Sequence, residues 1–188
     1  MDNYNTIAIG KQIWMDANLN VSQFRNGDKI PQVKINEHWK REGDEGRPAC
    51  CYYDNDPSNG KKYGGLYNWY AVNDPRGLAP LGWHIPSDEE WTQLETFLDI
   101  DHAESMMKSA EGWEEGGNGN NESCFNALPA GYRYYYGSTY IGKCGIWWSS
   151  TECYEVSAWN RFLNYNKRNL SRGYIFRGKG LSVRCIKD

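Results

Sequence analysis

Three histidines, His38, His84 and His102, are the side chains able to exchange a proton near neutral pH, and six cysteines could attack, ligate or cross-link. Neither set is arranged for catalysis. His84 stands in Gly82-Trp-His-Ile-Pro86, directly before a helix start and without a nucleophile motif nearby, so its expected work is to hydrogen-bond the neighbouring loop. Cys50 and Cys51 are adjacent while Cys124, Cys144, Cys153 and Cys185 are scattered, and the absence of a Cys-x-x-Cys pair argues against zinc or dithiol redox chemistry. Disulfides and free buried thiols both remain open. Gly116-Gly-Asn-Gly119 and Gly178-Lys-Gly180 lack the strand before and helix after that a phosphate loop needs, and read as turns. No cofactor is expected.

Binding chemistry is concentrated in the last thirty-odd residues. Between Ala158 and Asp188 the basic residues Arg161, Lys167, Arg168, Arg172, Arg177, Lys179, Arg184 and Lys187 face one acid, Asp188, whereas residues 1–157 carry 23 acids against 13 basic groups. Trp, Tyr, Phe, Asn, Arg and Gly are interleaved there, combining rigid contact area, adaptable amides and forked donors as a paratope does. An antiparallel sheet with one wet face would alternate in the same way. Nucleic acid is a rival partner for this segment, but the acidic body opposes long-range approach to phosphates, and none is expected.

The elements that must hold this segment are legible in places. Asn5 to Trp14 alternates around Gly10 and predicts a hairpin. Residues 16–62 read as mostly irregular, with loops at Arg41–Pro48 and Asp54–Gly60. Leu66, Trp69 and Tyr70 share one helical face, predicting a short helix over 64–72. The clearest helix starts at Ser87, where Ser87 and Glu90 form a capping box ahead of the stripe Trp91, Leu94, Leu98. A further turn is expected at Ala103–Lys108 and a loop at Gly116–Asn121. Strands are expected at 131–136, 144–150, 158–163 and 181–186, giving an α+β chain, read as one domain over residues 1–188. With 39% hydrophobic residues but nine Trp and fourteen Tyr, the core must lean on rings. No apolar run approaches the ~20 residues that span a bilayer, and Met1-Asp-Asn-Tyr-Asn5 does not read as an export signal.

Seven ordered motifs carry a resemblance: Gln12-Ile-Trp-Met15 with Asn18-Leu19; Tyr63-Gly-Gly-Leu-Tyr-Asn-Trp-Tyr-Ala-Val72; Gly82-Trp-His-Ile-Pro-Ser87 with Glu90-Trp91; Asn121-Glu-Ser-Cys-Phe-Asn-Ala-Leu-Pro-Ala-Gly-Tyr-Arg133; Trp147-Trp-Ser-Ser-Thr-Glu152; Ala158-Trp159; and Ser182-Val-Arg-Cys185. From Asn5 onward the chain resembles the Fibrobacter succinogenes major paralogous domain, a bacterial and phage family. The resemblance implies a C-type lectin-like fold of the formylglycine-generating type, with Trp147, Trp148 and Trp159 as buried braces and Ser149 to Glu152 tying the scaffold by hydrogen bonds. Relatives usually place a cysteine near Ala79, so Cys185 is expected to be unpaired. They favour Gly and Tyr where Cys124 and Cys153 stand, and this pattern suits a reducing interior.

The tail is also similar in layout to variable proteins of diversity-generating retroelements, in which Asn codons are favoured mutable positions. That likeness makes Asn160, Asn164, Asn166 and Asn169 unmutated survivors, and Phe162, Tyr165, Arg168, Leu170, Arg172, Tyr174, Ile175 and Phe176 diversified products, within a variable region at about 144–188. The expected ligand-binding residues are Tyr154, Glu155, Ser157, Asn160, Phe162, Asn164, Asn166, Arg168, Arg172, Tyr174 and Phe176, converging on one exposed face toward a protein or glycan on a cell surface. An undiversified bacterial surface module and an oxidase-like enzyme are the alternatives. The oxidase relatives use a closely spaced cysteine pair near the C-terminus, which this chain lacks. The calcium motifs of sugar-binding relatives, Glu-Pro-Asn or Gln-Pro-Asp with Trp-Asn-Asp, are also missing, leaving only a structural ion open.

Overall fold

A computed structural model describes residues 4–188; Met1 to Asn3, part of the N-terminal segment considered above, lie outside the described residues. The expected hairpin forms from β1 (Thr6–Ile9) and β2 (Gln12–Met15), paired from Thr6↔Met15 to Ile9↔Gln12, and Gly10 takes the positive φ of the turn at 61°.

Residues 16–62 are more regular than expected. Helix α1 (Asn36–Asp44) begins at Ile35 with no side-chain cap, so no local start signal announces it. Tertiary contacts hold it instead: the Trp39 indole is buried and donates to Gly178 O at 2.9 Å, and the Arg133 guanidinium lies 4.8 Å from its ring centre. After β3 (Cys50–Cys51), α2 (Pro57–Tyr63) starts where Asp56 accepts the Ser58 amide at 2.8 Å and Pro57 occupies the first turn. Asp-Pro-Ser is a helix start as well as a turn signal, and here it is the former.

The helix expected over 64–72 is confined to α3 (Trp69–Val72), because Leu66 and Tyr67 form β4 against β3. Tyr67 exchanges both backbone hydrogen bonds with Leu181 at 2.9 and 3.0 Å, a long-range pairing that overrides the helical periodicity. Asn68 caps α3 and is buried, accepting from Ala49 and Ala71 amides and donating to Arg47 O. Strand β5 (Trp83–His84) leads into α4 (Asp88–Phe97), where the capping box of Ser87 and Glu90 is present and Trp91, Leu94 and Leu98 are buried. α5 (Ala103–Met107) is the expected extra turn.

The remainder is antiparallel β: β6 (Tyr132–Tyr134) with β7 (Gly137–Thr139), then β8 (Cys144–Tyr154), β9 (Ser157–Asn164) and β10 (Ser171–Phe176) as a sheet of order β10-β9-β8. β10 lies between the strands expected at 158–163 and 181–186, in a stretch with no expected strand. β11 is only Ile186–Lys187; the rest of the expected strand at 181–186 makes isolated bridges, among them Trp147↔Ser182. β11 sits between β2 and β5 in a second sheet, and the architecture is α+β with short helices and mainly antiparallel sheets.

Rings fill the core on both sides of β8. Trp14, Trp91, Phe125 and Trp147 pack with centroids 4.9–6.4 Å apart on one side; Tyr67, Trp69 and Trp148 lie on the other. Each buried indole N–H must be satisfied. Trp148 donates to Tyr67 O at 2.8 Å, Trp69 to Ser149 O at 2.9 Å and Trp147 to Asn18 Oδ1 at 2.8 Å. A register shift after Trp148 frees the next residues for the helix: Ser150 N donates to Pro86 O at 2.9 Å, Asp88 N to Thr151 Oγ1 at 3.0 Å, and Glu152 meets Arg177 at 3.2 Å. Ser149 to Glu152 thus tie the scaffold as expected. Trp159 corrects the expectation of three buried braces, because it is half-buried with the Arg172 guanidinium 3.4 Å above its ring.

The cysteines at 50, 51, 124, 144, 153 and 185 are free. Burial pushes the Cys50, Cys144 and Cys185 thiols up to about 12, so they pack as small apolar groups rather than nucleophiles.

Truncating Trp91 or Trp148 to Ala is expected to cost about 3–5 kcal/mol in denaturant unfolding, and Trp159→Ala less than either. A second outcome concerns pH. His84 contacts Glu90 and Asp188, both at 2.8 Å; burial disfavours the imidazolium, but these carboxylates outweigh it and raise the pKa. Its stabilisation is therefore complete below an unfolded value of ~6.5 and is lost as pH rises through the folded value. Unfolding measured from pH 6 to 9 should show this decline in the parent, and His84→Gln should flatten it.

Two faces of the C-terminal sheet as candidate binding surfaces

Residues directly opposite one another in a sheet share a face, and the register sorts the expected site residues. Ser157, Trp159 and Arg161 of β9 stand opposite Phe176, Tyr174 and Arg172 of β10, with Tyr154 of β8 opposite Ser157. Asn160, Phe162 and Asn164 stand opposite Trp148, Ile146 and Cys144 of β8, with Gly173 and Ser171 across β10. The expected convergence on one exposed face is therefore corrected: β-alternation divides the set between two faces.

The first face is bolted to α4. Arg161 is fully buried, and its guanidinium donates to Asp88 Oδ1 at 2.6 Å and to Thr92 Oγ1 at 2.8 Å, with Glu95 at 3.8 Å. Arg172 adds a fork to the same Asp88 carboxylate at 2.8–3.0 Å. Burial raises the Asp88 pKa, but the hydrogen bonds from Arg172 and Arg161 outweigh it and hold the carboxyl below its ordinary value. Outward of this lock, Arg172 covers Trp159, and Tyr174 contacts both Trp159 and Tyr154 edge-on at 5.9 and 5.1 Å. Tyr154 and Tyr174 are 59% and 57% exposed.

The second face carries a hollow of about 380 Å³, floored by Cys144, Ile146, Asn160, Phe162, Asn164 and the β10 stretch Gly173, Tyr174 and Ile175, and walled by Tyr132 and Tyr140. The two wall rings are 5.8 Å apart and 9° from parallel. Gly173 makes the space: a Cβ there would stand 3.2 Å from the Phe162 ring and 3.5 Å from Asn160 Oδ1. Asn160 is 4% exposed and its carboxamide bonds no described residue, but it opens on the hollow; the side-chain polar atoms shut away without a partner among the described residues are Arg133 Nε, Arg161 Nε and Ser182 Oγ. The Asn164 side chain has none either, although its carbonyl accepts from Lys108 Nζ at 2.7 Å. No side chain lining this hollow is ionised at neutral pH, the Cys144 thiol being pushed up to about 12.

Other expected residues lie apart. Glu155 is exposed in the β8–β9 turn, and Asn166 and Arg168 are exposed in the β9–β10 loop, beside a different hollow with His102 and Glu115. Phe176 packs edge-on against Tyr135 at 5.9 Å. Leu170, expected among the diversified positions, is buried in the core. The basic enrichment is also partly structural. Arg184 is buried and donates to Phe125 O at 2.7 Å, Met15 O at 3.0 Å and Asn18 Oδ1. Sequence reasoning missed Tyr132 and Tyr140 as site walls; the run Tyr132 to Tyr136 was visible as aromatic strand, but nothing in it marks which ring faces a hollow.

Asp88→Asn should cost about 3–5 kcal/mol in unfolding free energy, because it strands the buried Arg161 cation. Arg172→Ala, which breaks only the exposed arm of the same network, should cost about 0.2–1 kcal/mol. Equal losses would contradict the division between bolt and surface.

Among the described residues no helix is long and apolar enough to cross a membrane, and no group of three or more His, Cys, Asp or Glu side chains could hold a metal ion. Searches among curated proteins and among solved structures find no match. The sequence profile of the Fibrobacter succinogenes major domain matches residues 7–187, from the second residue of β1 through β11 and so including the α4 cap and both sheet faces, and the chain belongs to that family.

Proposed function

We propose that this protein is a non-enzymatic recognition module, in which a C-type lectin-like scaffold presents the β8–β10 sheet and its loops to a ligand on a cell surface. The observation that carries this reading is Asn160. Its carboxamide bonds no described residue and opens on the hollow, so its acceptor and donors are free to meet a ligand. The Tyr154–Trp159–Arg172–Tyr174 patch supports a second contact, with a protein, because exposed Tyr, Trp and Arg make interface anchors. The oxidase-like alternative finds little support: Cys144 and Cys153 lie nine residues apart on one strand, and the Cys144 thiol is held protonated by burial.

Diversification by a retroelement fits the exposed positions Asn166, Arg168, Arg172 and Tyr174 and the hollow residues Asn160, Phe162 and Asn164; the undiversified surface module is the alternative. Flanking DNA separates them, since diversification requires a reverse transcriptase gene and a near-copy of the segment encoding the tail.

The binding reading has its own test. Asn160→Ala with Asn164→Ala should stay within about 0.5 kcal/mol per site of the parent in denaturant unfolding, because neither amide bonds the fold. The same variant should lose retention on whichever intact bacterial strain of a panel binds the parent. Loss of several kcal/mol, or unchanged retention, would contradict the assignment.

A further inference from the structure

Resting on the recognition reading, we propose that the hollow on the second sheet face takes an uncharged saccharide ring without a metal ion. The volume of about 380 Å³ falls at the small end of the ~300–1,000 Å³ usual for small-molecule sites, so the occupant is compact. The near-parallel Tyr132 and Tyr140 rings and Phe162 offer flat apolar faces. Asn160 and Asn164 each offer a carbonyl acceptor and two N–H donors with no competing partner in the fold. A ligand complementary to both has flat C–H faces and a rim of groups that donate and accept at once. A pyranose has this form: its axial C–H bonds pack on aromatic faces, and neighbouring hydroxyls match the two ends of a carboxamide.

Charge and position narrow the choice. No lining side chain is ionised; the Lys179 ammonium lies 5.3 Å from the Tyr132 ring centre and Lys108 is bonded to Asn164 O, so an anion would find no cation on the lining itself, which favours a neutral occupant over nucleotides and acidic sugars. An extended peptide needs an open strand edge for its backbone hydrogen bonds, whereas this hollow lies on the face of the sheet, behind the Tyr132 and Tyr140 wall. Gly173 sets the aperture, since a methyl there would crowd the Phe162 ring at 3.2 Å and come into contact with Asn160 Oδ1 at 3.5 Å.

The test uses the full chain on a printed array of neutral hexose, N-acetylhexosamine and fucose glycans, followed by NMR titration of the side-chain amides with the best-retained glycan, with adenosine and with a neutral peptide. The proposal expects saturable binding to a neutral glycan that persists with chelator present and shifts the Asn160 and Asn164 amide signals. Asn160→Ala and Gly173→Ala should each weaken it at least tenfold while keeping the parent's amide spectrum elsewhere. Retention of no neutral glycan, glycan binding abolished by chelator, or shifts confined to adenosine or peptide would overturn the saccharide assignment. In the last case the recognition reading survives, whereas a cell-surface partner whose binding ignores both amide substitutions would remove that reading as well.

Discussion

A buried guanidinium must find an anion, and Arg161 finds its carboxylate on α4 rather than in its own sheet. Much of the C-terminal architecture follows from that constraint. Asp88 can serve because the Ser87–Glu90 box sets the start of α4 and Thr151 holds the Asp88 amide, so the helix terminus, the shifted stretch of β8 and the middle of β9 form one assembly. A hydrophobic isostere at this position could be as stable, but once the charge is present its partner cannot be removed cheaply. The same device recurs at Arg133, whose guanidinium donates to Asn55, Asn36 and Lys34 oxygens, and at Arg184, which joins Met15, Asn18 and Phe125. In a chain poor in aliphatic residues, arginine heads bonded to oxygens and stacked on rings take over part of the bracing.

Because α4 closes the first face over Arg161 and Trp147, the open part of the second face is left to Asn160, Phe162 and the tyrosine wall. The two neighbouring residues of β9 show the contrast. Arg161 has its charge answered within the fold by Asp88, although its Nε is unbonded, while the Asn160 amide bonds no described residue and opens on the hollow. Stability alone favours an apolar side chain at 160, and that local departure is what the proposed recognition role draws on.

Elements with strong local signals were legible in the sequence. The capping box before Trp91, the Gly10 hairpin and the β8 and β9 strands each carry their own chemistry of start, turn or alternation. α1 was illegible because its stability comes from Trp39 meeting Gly178, and β4 because Tyr67 pairs with Leu181; neither partner is near in sequence. Composition identified the tail as rich in recognition residues but could not separate paratope from brace. Arg161, Arg184 and Leu170 are packed inside, and only strand register reveals that Tyr174 and Asn160 look in opposite directions. The family resemblance located the conserved-looking scaffold motifs, yet Trp159 shows that a residue within such a motif can sit at the surface.

Water exchange of side-chain amide protons, read by NMR on the ligand-free protein, addresses the central claim most directly. Asn68 is buried with its amide bonded to Arg47 O at 2.8 Å, whereas Asn166 is exposed. The account predicts that the Asn160 amide, though buried, exchanges as fast as that of Asn166. Protection matching that of Asn68 would show that the fold itself satisfies Asn160, and the hollow would then be packing rather than a site.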